Sequence, residues 1–343
     1  MNEETDGCES PHPRETAALF GQTQAEQILL DSYKSGRMPH AWLIGGEPGI
    51  GKATLAYRLA RFVLAHPDPF APDVQGASSL ALAADHPVAR RVAAQAQGDL
   101  LVLERTLNDK GKLRQDIAVD DIRRSVGFFG ATPGEGGWRI AIVDAVDELN
   151  RAGANALLKV LEEPPQRSLL LLVSHAPGRV LATIRSRCRR LLLRPLEAAE
   201  VARAVAAATG RSASDPEIES AAAAADGSAA RAFALLDDRA RALRQRVLDL
   251  FAQLPDPDPR ALHALGDALG GSEPQTLAAF IDMVNAWLSA RLTSGAQQTA
   301  RLNRLALAWD RINRAAREAD AYNLERKPLV FAVFGMLAEA AHA

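Results

Sequence analysis

The residues with the clearest chemical potential lie in one glycine-rich segment near the start of the chain. Residues 46–54 read GEPGIGKAT and follow the phosphate-binding loop pattern G-x-x-x-x-G-K-[ST], except that Ala53 stands at the last position. In this pattern the backbone N–H groups surround phosphate, the lysine reaches the outer phosphates, and the hydroxyl coordinates magnesium. The segment therefore predicts a nucleotide site without its usual metal-binding hydroxyl, unless Thr54 supplies one.

The expected phosphate contacts are three glycines and the lysine. They are Gly46, Gly49, Gly51 and Lys52. The segment follows an apolar run and precedes residues with helical spacing, which is the strand, loop and helix context that the motif requires. The positive end of the helix dipole adds to the attraction for phosphate. The alternative is a glycine-rich turn that binds nothing, and the loss of the hydroxyl weakens hydrolysis more than binding.

A second candidate group ends the apolar run at 140–143. Asp144 follows that run where ATPases place an acidic residue near magnesium, and Ala145 stands where a glutamate commonly activates water. Asp147 and Glu148 lie further along, and we expect them to form a solvated, negatively charged helix start. The changes at the hydroxyl and glutamate positions both predict a nucleotide-binding type of fold that turns nucleotide over poorly.

The elements that position these residues are indicated by apolar runs that alternate with helical spacing. The runs predict five buried strands, at 41–44, 100–103, 140–143, 169–173 and 191–193. Strands that alternate with helices predict an α/β domain with a parallel five-stranded sheet covered on both faces.

Several domains are expected because 343 residues exceed one ordinary core. After Pro195 the strand-like runs cease, and alanine, leucine and arginine predominate. The predicted divisions are a loose tail at 1–18, the α/β domain at 19–195, a small helical domain at 196–242 and a second helical domain at 243–343.

The composition excludes several classes of protein. Hydrophobic residues make up 48% of the chain and charged residues 24%, which predicts a soluble globular protein. The formal net charge is -2, so the chain as a whole lacks the positive charge of a basic nucleic-acid-binding protein. Cys8 and Cys188 lie far apart without metal-ligand companions, so neither a disulfide framework nor a metal site is expected. No apolar run approaches membrane-spanning length, and the first fifteen residues lack a secretory signal pattern. We therefore expect a cytoplasmic protein.

Several motifs carry a resemblance to a known family. Residues 155–165, NALLKVLEEPP, and residues 186–188, Ser-Arg-Cys, resemble bacterial clamp-loader ATPase-type subunits, as does the wider segment 138–188. The segments 20–22 and 37–41, FGQ and RMPHA, add further matches. The resemblance is strong over the predicted α/β domain and weak through the helical remainder.

The resemblance implies an AAA+ P-loop domain, a helical lid over 196–242 and an all-α collar over 243–343 that joins five subunits into a ring. It implies the gamma/tau and delta subunits of the clamp loader as partners and, through the complex, the sliding clamp and primer-template DNA. The implied function is to support ATP-dependent loading of the sliding clamp during replication. The chain would then belong to a DNA-directed DNA polymerase holoenzyme, a nucleotidyltransferase by assembly, with no independent ATPase activity expected.

The resemblance also assigns roles near the loop and marks departures from an active site. Ser174 matches the polar sensor of the outer phosphate in active members. The turn at 227–228 matches the second sensor region, in which active subunits place an arginine where this chain has Ala230, with Arg231 one residue late. Family members commonly carry a four-cysteine zinc knuckle, yet residues 66–99 contain no cysteine, so no zinc is expected. Whether ATP or ADP is bound without turnover stays open.

Arg187 receives the most specific role from the resemblance. In the family this arginine acts in trans, as a finger that neutralises charge on the phosphate of ATP bound to the neighbouring subunit. A planar guanidinium suits a phosphoryl oxygen and stays charged. Without the resemblance it would be interpreted as a surface residue in a basic run. The other members of that run are Arg185, Arg189, Arg190 and Arg194.

These observations favour a non-hydrolysing ring subunit that contributes Arg187 to a neighbour. The alternative is an active AAA+ clamp-loader ATPase of the gamma/tau type, rescued by Thr54 or by a glutamate from elsewhere. Ala53, Ala145 and Ala230 argue jointly against that alternative. A stand-alone P-loop kinase is a third hypothesis, but it leaves the long helical C-terminal part unexplained.

Overall fold

The computed structural model describes residues 10–106, 114, 116–130, 137–270, 274–294, 299–321 and 324–341. These residues form two compact units that divide between Phe233 and Ala234. The first nine residues of the predicted tail, with Cys8, lie outside the described residues.

The N-terminal unit is built around a parallel sheet of five strands within the described residues. The strands are β1 (Ala41–Gly45), β2 (Leu100–Glu104), β3 (Arg139–Asp144), β4 (Ser168–Ser174) and β5 (Arg189–Leu192). Their order across the sheet is β2-β3-β4-β1-β5, and every neighbouring pair is parallel. The register aligns Gly45 with Ser174 and Asp144 with Val173, so the carboxyl ends of β1, β3 and β4 meet at one edge.

Helices follow or precede each strand of this unit. They are α1 (Thr23–Lys34), α2 (Lys52–Ala65), α3 (Pro72–Gly76), α4 (Pro87–Ala93), α5 (Val119–Gly130), α6 (Arg151–Glu162), α7 (Ala182–Arg185), α8 (Ala198–Thr209), α9 (Pro216–Ala224) and α10 (Ala229–Leu236), which runs across the division. A 3₁₀ turn at Val146–Glu148 follows β3. The start of α6 is fixed by Asn150, whose side chain accepts a hydrogen bond from the backbone N–H of Gly153.

Both faces of the sheet are buried because its side chains alternate between two apolar clusters. Ile44 and Leu171 belong to the cluster with α1 and α2, whereas Leu43 and Leu172 belong to the cluster with α5 and α6. Each fully buried side chain of this kind stabilises the fold by about 1.5–3 kcal/mol. The near-continuous apolar runs of the sequence reflect this two-sided burial.

The insert over residues 66–99 packs by apolar contacts. Val74, Leu80 and Val92 join the cluster with α1 and α2, and Nζ of Lys34 donates to the carbonyl of Ala77 at 2.5 Å. Within the described part of the chain, no group of three or more histidine, cysteine or acidic side chains is arranged to hold a metal ion.

Residues 14–17, which the sequence placed in a loose tail, lie along α2. Arg58 donates to the carbonyl of Ala17 at 2.5 Å, and Arg61 donates to the carbonyl of Thr16 at 2.6 Å. The arginines therefore satisfy backbone groups of a segment that belongs to no helix or strand.

The described residues of the C-terminal unit form helices joined by short turns and loops. After the shared α10 come α11 (Asp238–Ala252), α12 (Pro259–Gly270), α13 (Pro274–Ser294), α14 (Thr299–Ala321) and α15 (Arg326–Ala341). Its core gathers Leu265, Phe280, Ile312 and Phe334. The parallel sheet and the helical C-terminal part confirm the predicted fold class. Among the helices that the structure describes, none has the length and apolar character needed to cross a membrane.

Candidate functional site

The loop between β1 and α2 has the glycine conformations that the phosphate-loop motif requires. Gly46, Gly49 and Gly51 have φ angles of 147°, 77° and 93°, in the region that residues with a Cβ rarely adopt. Lys52 then begins α2 directly. A glycine loop between a parallel strand and a helix that starts at the lysine is the arrangement that the phosphate-loop motif predicts.

The turn at 227–228, which the resemblance matches to the second sensor region, lies over this loop. The backbone N–H of Ala229 donates to the carbonyl of Gly49 at 2.9 Å. A Cβ added at Gly49 would lie 2.2 Å from Oγ of Ser228 and 2.7 Å from Cβ of Ala230. Arg231 is paired with Asp226 at 2.6 Å and both side chains are well exposed. The turn therefore brings small side chains to the loop, and its arginine is engaged elsewhere.

Lys52 is engaged by its own loop. Its side chain is buried, with 4% of the residue exposed, and Nζ donates to the backbone carbonyl of Glu47. Burial lowers the pKa of Lys52 to about 8, although the carboxylates of Asp144 and Asp147 act in the opposite direction. The lysine charge is therefore partly balanced from within the chain, by a carbonyl acceptor and two carboxylates.

Asp144 lies at the end of β3, close enough to Lys52 to interact with its charge. Burial is the main cause that raises the pKa of Asp144 to about 6, and the nearby carboxylates of Glu104 and Glu148 raise it further. Thr54 lies in the first turn of α2, about 100° further round the helix than Ala53. The hydroxyl therefore starts from a different side of the helix than the motif requires.

Asp147 corrects an expectation from the sequence. It was expected to lie in solvent, yet its carboxylate accepts hydrogen bonds from Oγ of Ser174 at 2.7 Å and from the backbone N–H groups of His175 and Ala176. The 3₁₀ turn after β3 folds back over the end of β4, which is the adjacent strand. Glu148 forms an ion pair with Arg105 at 2.7 Å. The predicted sensor Ser174 is thus buried and already hydrogen-bonded to a carboxylate.

Gln22 is a residue whose contacts the sequence analysis missed. Its Nε2 donates to the carbonyl of Ile50 at 3.1 Å and to the carbonyl of Arg194 at 2.8 Å. One buried amide therefore joins the segment before α1, the glycine loop and the segment that follows β5. Its position in the FGQ motif at 20–22 was the one feature of the sequence that could have indicated these contacts.

Arg187 lies at the opposite edge of the sheet from the loop. It precedes β5 by two residues, and β5 begins at Arg189, which is aligned with Trp42 near the amino end of β1. The loop follows the carboxyl end of β1, about 13 Å further along at 3.3 Å per residue. The guanidinium is half-buried and lies 2.8 Å from Glu162.

The other arginines of the basic run have different surroundings. Arg185 donates to the carbonyl of Gly178 at 2.8 Å, Arg189 stacks on the ring of Trp42 at 5.0 Å, and Arg194 pairs with Glu200 at 2.8 Å. The run is therefore not one uniform solvated patch. Cys188 points inward, and burial raises the pKa of its thiol to about 11.

Comparison with known proteins gives the following matches. The chain is 38% identical over 167 residues to the DNA polymerase III subunit delta' of Pseudomonas aeruginosa, which covers 47% of this chain and 46% of that one. It is 35% identical over 175 residues to the delta' subunit of Escherichia coli, covering 49% and 46%. It is 33% identical over 178 residues to the gamma/tau subunit of Mycobacterium tuberculosis, covering 51% and 28%. The matched stretch spans about half the length of the delta' relatives.

One solved structure with a similar chain path is a DNA polymerase III gamma subunit-related protein of Thermotoga maritima. It has 16% sequence identity and a TM-score of 0.45, and the match covers 94% of this chain and 100% of that one.

A protein family as a whole, and not only single relatives, matches this chain. The family described as DNA polymerase III, delta subunit, matches residues 21–197, which is 177 of 343 residues. The delta' names of the relatives confirm the predicted resemblance to bacterial clamp-loader subunits and, among these, indicate the delta prime subunit. The chain belongs to the DNA polymerase III delta subunit family.

Proposed function

We propose that this chain is a non-hydrolysing subunit of a DNA polymerase III clamp loader. It supports ATP-dependent loading of the sliding clamp on DNA. Its Arg187 contacts the phosphate of ATP bound to a neighbouring subunit. The proposed partners are the gamma/tau and delta subunits, with the sliding clamp and primer-template DNA reached through the complex, in the cytoplasm. The family match and the delta' and gamma/tau names of the relatives support this role.

The observation that carries the proposal is the position of Arg187 relative to the loop of the same chain. The arginine stands at the amino edge of the sheet, whereas the loop with Lys52 stands at the carboxyl edge. A guanidinium placed there is remote from phosphate in its own chain. It can meet phosphate only when another chain presents a nucleotide to that edge, and this supports the proposal that Arg187 is an arginine finger supplied in trans.

The condition of the chain's own loop supports the absence of hydrolysis. Lys52 is bonded to the carbonyl of Glu47, Gly49 is covered by the turn with Ala230, and Ala145 follows Asp144 where a base would be needed. ATP or ADP would have to displace these internal contacts in order to bind. We propose that the chain requires no cofactor and no zinc.

The alternative of an active gamma/tau-type ATPase has one observation in its favour. The gamma/tau relative is 33% identical over 178 residues, a degree of identity close to that of the delta' relatives. That alternative requires Thr54 or a distant glutamate to replace two missing groups. It predicts that hydrolysis by the complex depends on Lys52 of this chain, whereas the proposed function predicts dependence on Arg187.

The test uses a complex reconstituted from this chain and its partner subunits. Arg187→Ala should leave the chain folded and the complex assembled, and should depress hydrolysis stimulated by DNA and clamp at the one site that it faces. A finger typically contributes about a thousandfold to a hundred-thousandfold at its site, so the total rate should fall only by that site's share unless the sites are coupled. Arg187→Lys should recover little, because an ammonium lacks the planar fork.

The matched control is Arg189→Ala, two residues away in the same basic run. Arg189 stacks on Trp42 instead of pairing with Glu162. Equal losses of stimulated hydrolysis from both substitutions would indicate that Arg187 is an ordinary surface residue. Intact stimulated hydrolysis and clamp loading with Arg187→Ala would do the same.

A further inference from the structure

Arg187 is held between two acceptors that belong to different helices. One terminal nitrogen lies 2.8 Å from Oε1 of Glu162, the last residue of α6. The other donates to the backbone carbonyl of Thr183 in α7 at 2.9 Å. The side chains of Arg187 and Glu162 are 36% and 51% exposed, so the pair lies where an approaching chain can reach it.

The stability of the fold is a poor explanation for this pair. Ion pairs with this degree of exposure contribute little to folding, because water and salt screen them and two long side chains lose freedom. Orientation is a better explanation. A free arginine samples many rotamers, whereas one held by a carboxylate and a carbonyl presents its planar fork in a fixed direction.

We propose that Glu162 is a positioning residue for Arg187, which orients the guanidinium toward the phosphate of a nucleotide on the neighbouring chain. This inference rests on the proposed function. A group that is already oriented toward developing charge stabilises the transition state without a cost of reorganisation. The contacts to Glu162 and Thr183 leave further N–H donors of the fork for a phosphoryl oxygen.

Glu163 is a matched control beside Glu162. Both are exposed glutamates at the end of α6, and Glu163 is its C-terminal cap residue. Replacing either one removes the same charge from the same surface. The difference between the two substitutions therefore isolates the contact with Arg187 from a general change in surface potential.

The experiment compares variants in the complete reconstituted complex. Glu162→Ala should lower kcat for DNA- and clamp-stimulated hydrolysis at the site served by Arg187 by about two- to fivefold, which is the range of an exposed charge pair. KM for ATP should stay unchanged, because the arginine acts mainly in the transition state. Glu163→Ala should change neither quantity. Glu162→Ala in an Arg187→Ala background should cause no further loss, because the glutamate acts through the arginine.

A second measurement is made on the isolated full-length chain. Nitrogen-15 NMR of arginine guanidinium groups should show faster rotation for Arg187 after Glu162→Ala, and no change after Glu163→Ala. This readout does not depend on hydrolysis. It also separates loss of orientation from failure to fold, since the signals of the other arginines stay in place in a folded chain.

The outcomes separate the inference from the function on which it rests. If Arg187→Ala lowers hydrolysis but Glu162→Ala does not, the positioning role is wrong while the finger stands. The positioning role is also wrong if Glu162→Ala raises hydrolysis, as it would if the glutamate sequestered the arginine, or if the double variant loses more than Arg187→Ala alone. If Arg187→Ala itself has no effect, the proposed function falls and the positioning role falls with it.

Discussion

The carboxylate of Asp147 caps the end of β4 by accepting a hydrogen bond of 2.7 Å from the buried hydroxyl of Ser174. The same carboxylate accepts from two successive backbone N–H groups, those of His175 and Ala176. A residue that the sequence places at a solvated helix start thus holds the end of β4 in place.

Removal of this carboxylate should destabilise the N-terminal unit. Asp147→Ala leaves a fully buried hydroxyl and two backbone donors without their acceptor, which should lower the free energy of unfolding by about 1–3 kcal/mol. Asp147→Asn should lose less, because one oxygen remains. Urea denaturation measures both values. The control is Asp120→Ala, which removes an exposed carboxylate paired with Arg123 on the surface of α5 and should cost at most about 1 kcal/mol. Equal costs for the two alanine variants would contradict the capping role.

The buried Lys52 should give the stability a distinctive pH dependence. Its pKa is about 8 in the folded chain and 10.5 in the reference state, so between these values the unfolded chain binds more protons. Stability therefore rises with pH in this window. Lys52→Met should abolish that rise and should raise stability at pH 7 by about 2–3 kcal/mol.

The measurement is the difference in unfolding free energy between wild type and variant from pH 7 to 10. Taking the difference removes the contribution of Tyr33 and Tyr57, since burial raises the pKa of both phenols and makes the stability of both proteins fall as the pH approaches and passes 10. Lys159→Met, at an exposed position, should leave the rise in place. A difference that stays constant over this range would refute the prediction.

The isolated chain should show no ATP hydrolysis, with or without DNA. Ala53 lacks the metal-binding hydroxyl, Ala145 lacks a carboxylate, and Ala230 brings no arginine to the loop. Phosphate release should stay at background, and Lys52→Ala should not change it. Turnover that Lys52→Ala abolishes would favour the gamma/tau-type alternative. Titration with a fluorescent ATP analogue tests binding separately.

Two leucines of α14 should separate folding from assembly. Leu305 is 2% exposed and belongs to the helical core, whereas Leu307 is 62% exposed. Leu305→Ala should cost about 2–5 kcal/mol of stability. Leu307→Ala should change stability by less than about 0.5 kcal/mol, and it should weaken assembly if this unit carries the subunit contacts. Thermal unfolding and co-purification with the partner subunits measure the two effects. Unchanged assembly with Leu307→Ala, together with full-affinity assembly of a chain truncated at residue 240, would oppose the assignment to this unit.

The fold could be predicted from the sequence because each strand, and the glycine loop, is indicated by residues within its own segment. The runs at 41–44 and 169–173 predict buried strands from their own composition, and the glycines around Lys52 predict the loop. The contacts of Asp147 and Glu162 were not predictable in this way. Asp147 meets Ser174 across 27 positions of sequence, and Glu162 meets Arg187 across a strand and a short helix. Such pairs depend on which strands become neighbours in the sheet. The spacing of apolar residues within one segment does not predict the strand order.

The lysine contact was missed for a different reason. The motif describes Lys52 in the presence of phosphate, when its ammonium group has an anionic partner. In this chain the ammonium turns to the carbonyl of Glu47 instead. A motif specifies which residues a bound state uses, and it does not specify how the same residues are satisfied without a ligand.

The placement of Arg187 and the glycine loop at opposite edges of one sheet gives the module a direction. Under the proposed function such subunits associate head to tail, so each contact joins unlike surfaces, and the ring closes only if the rotation brings the last subunit back to the first. Under the proposed function, this chain would be donor at one contact and a silent acceptor at the other. In a ring that contains this chain, the series of hydrolysing sites between subunits would therefore end at a fixed position. The order of nucleotide hydrolysis around that ring would then have a defined starting point.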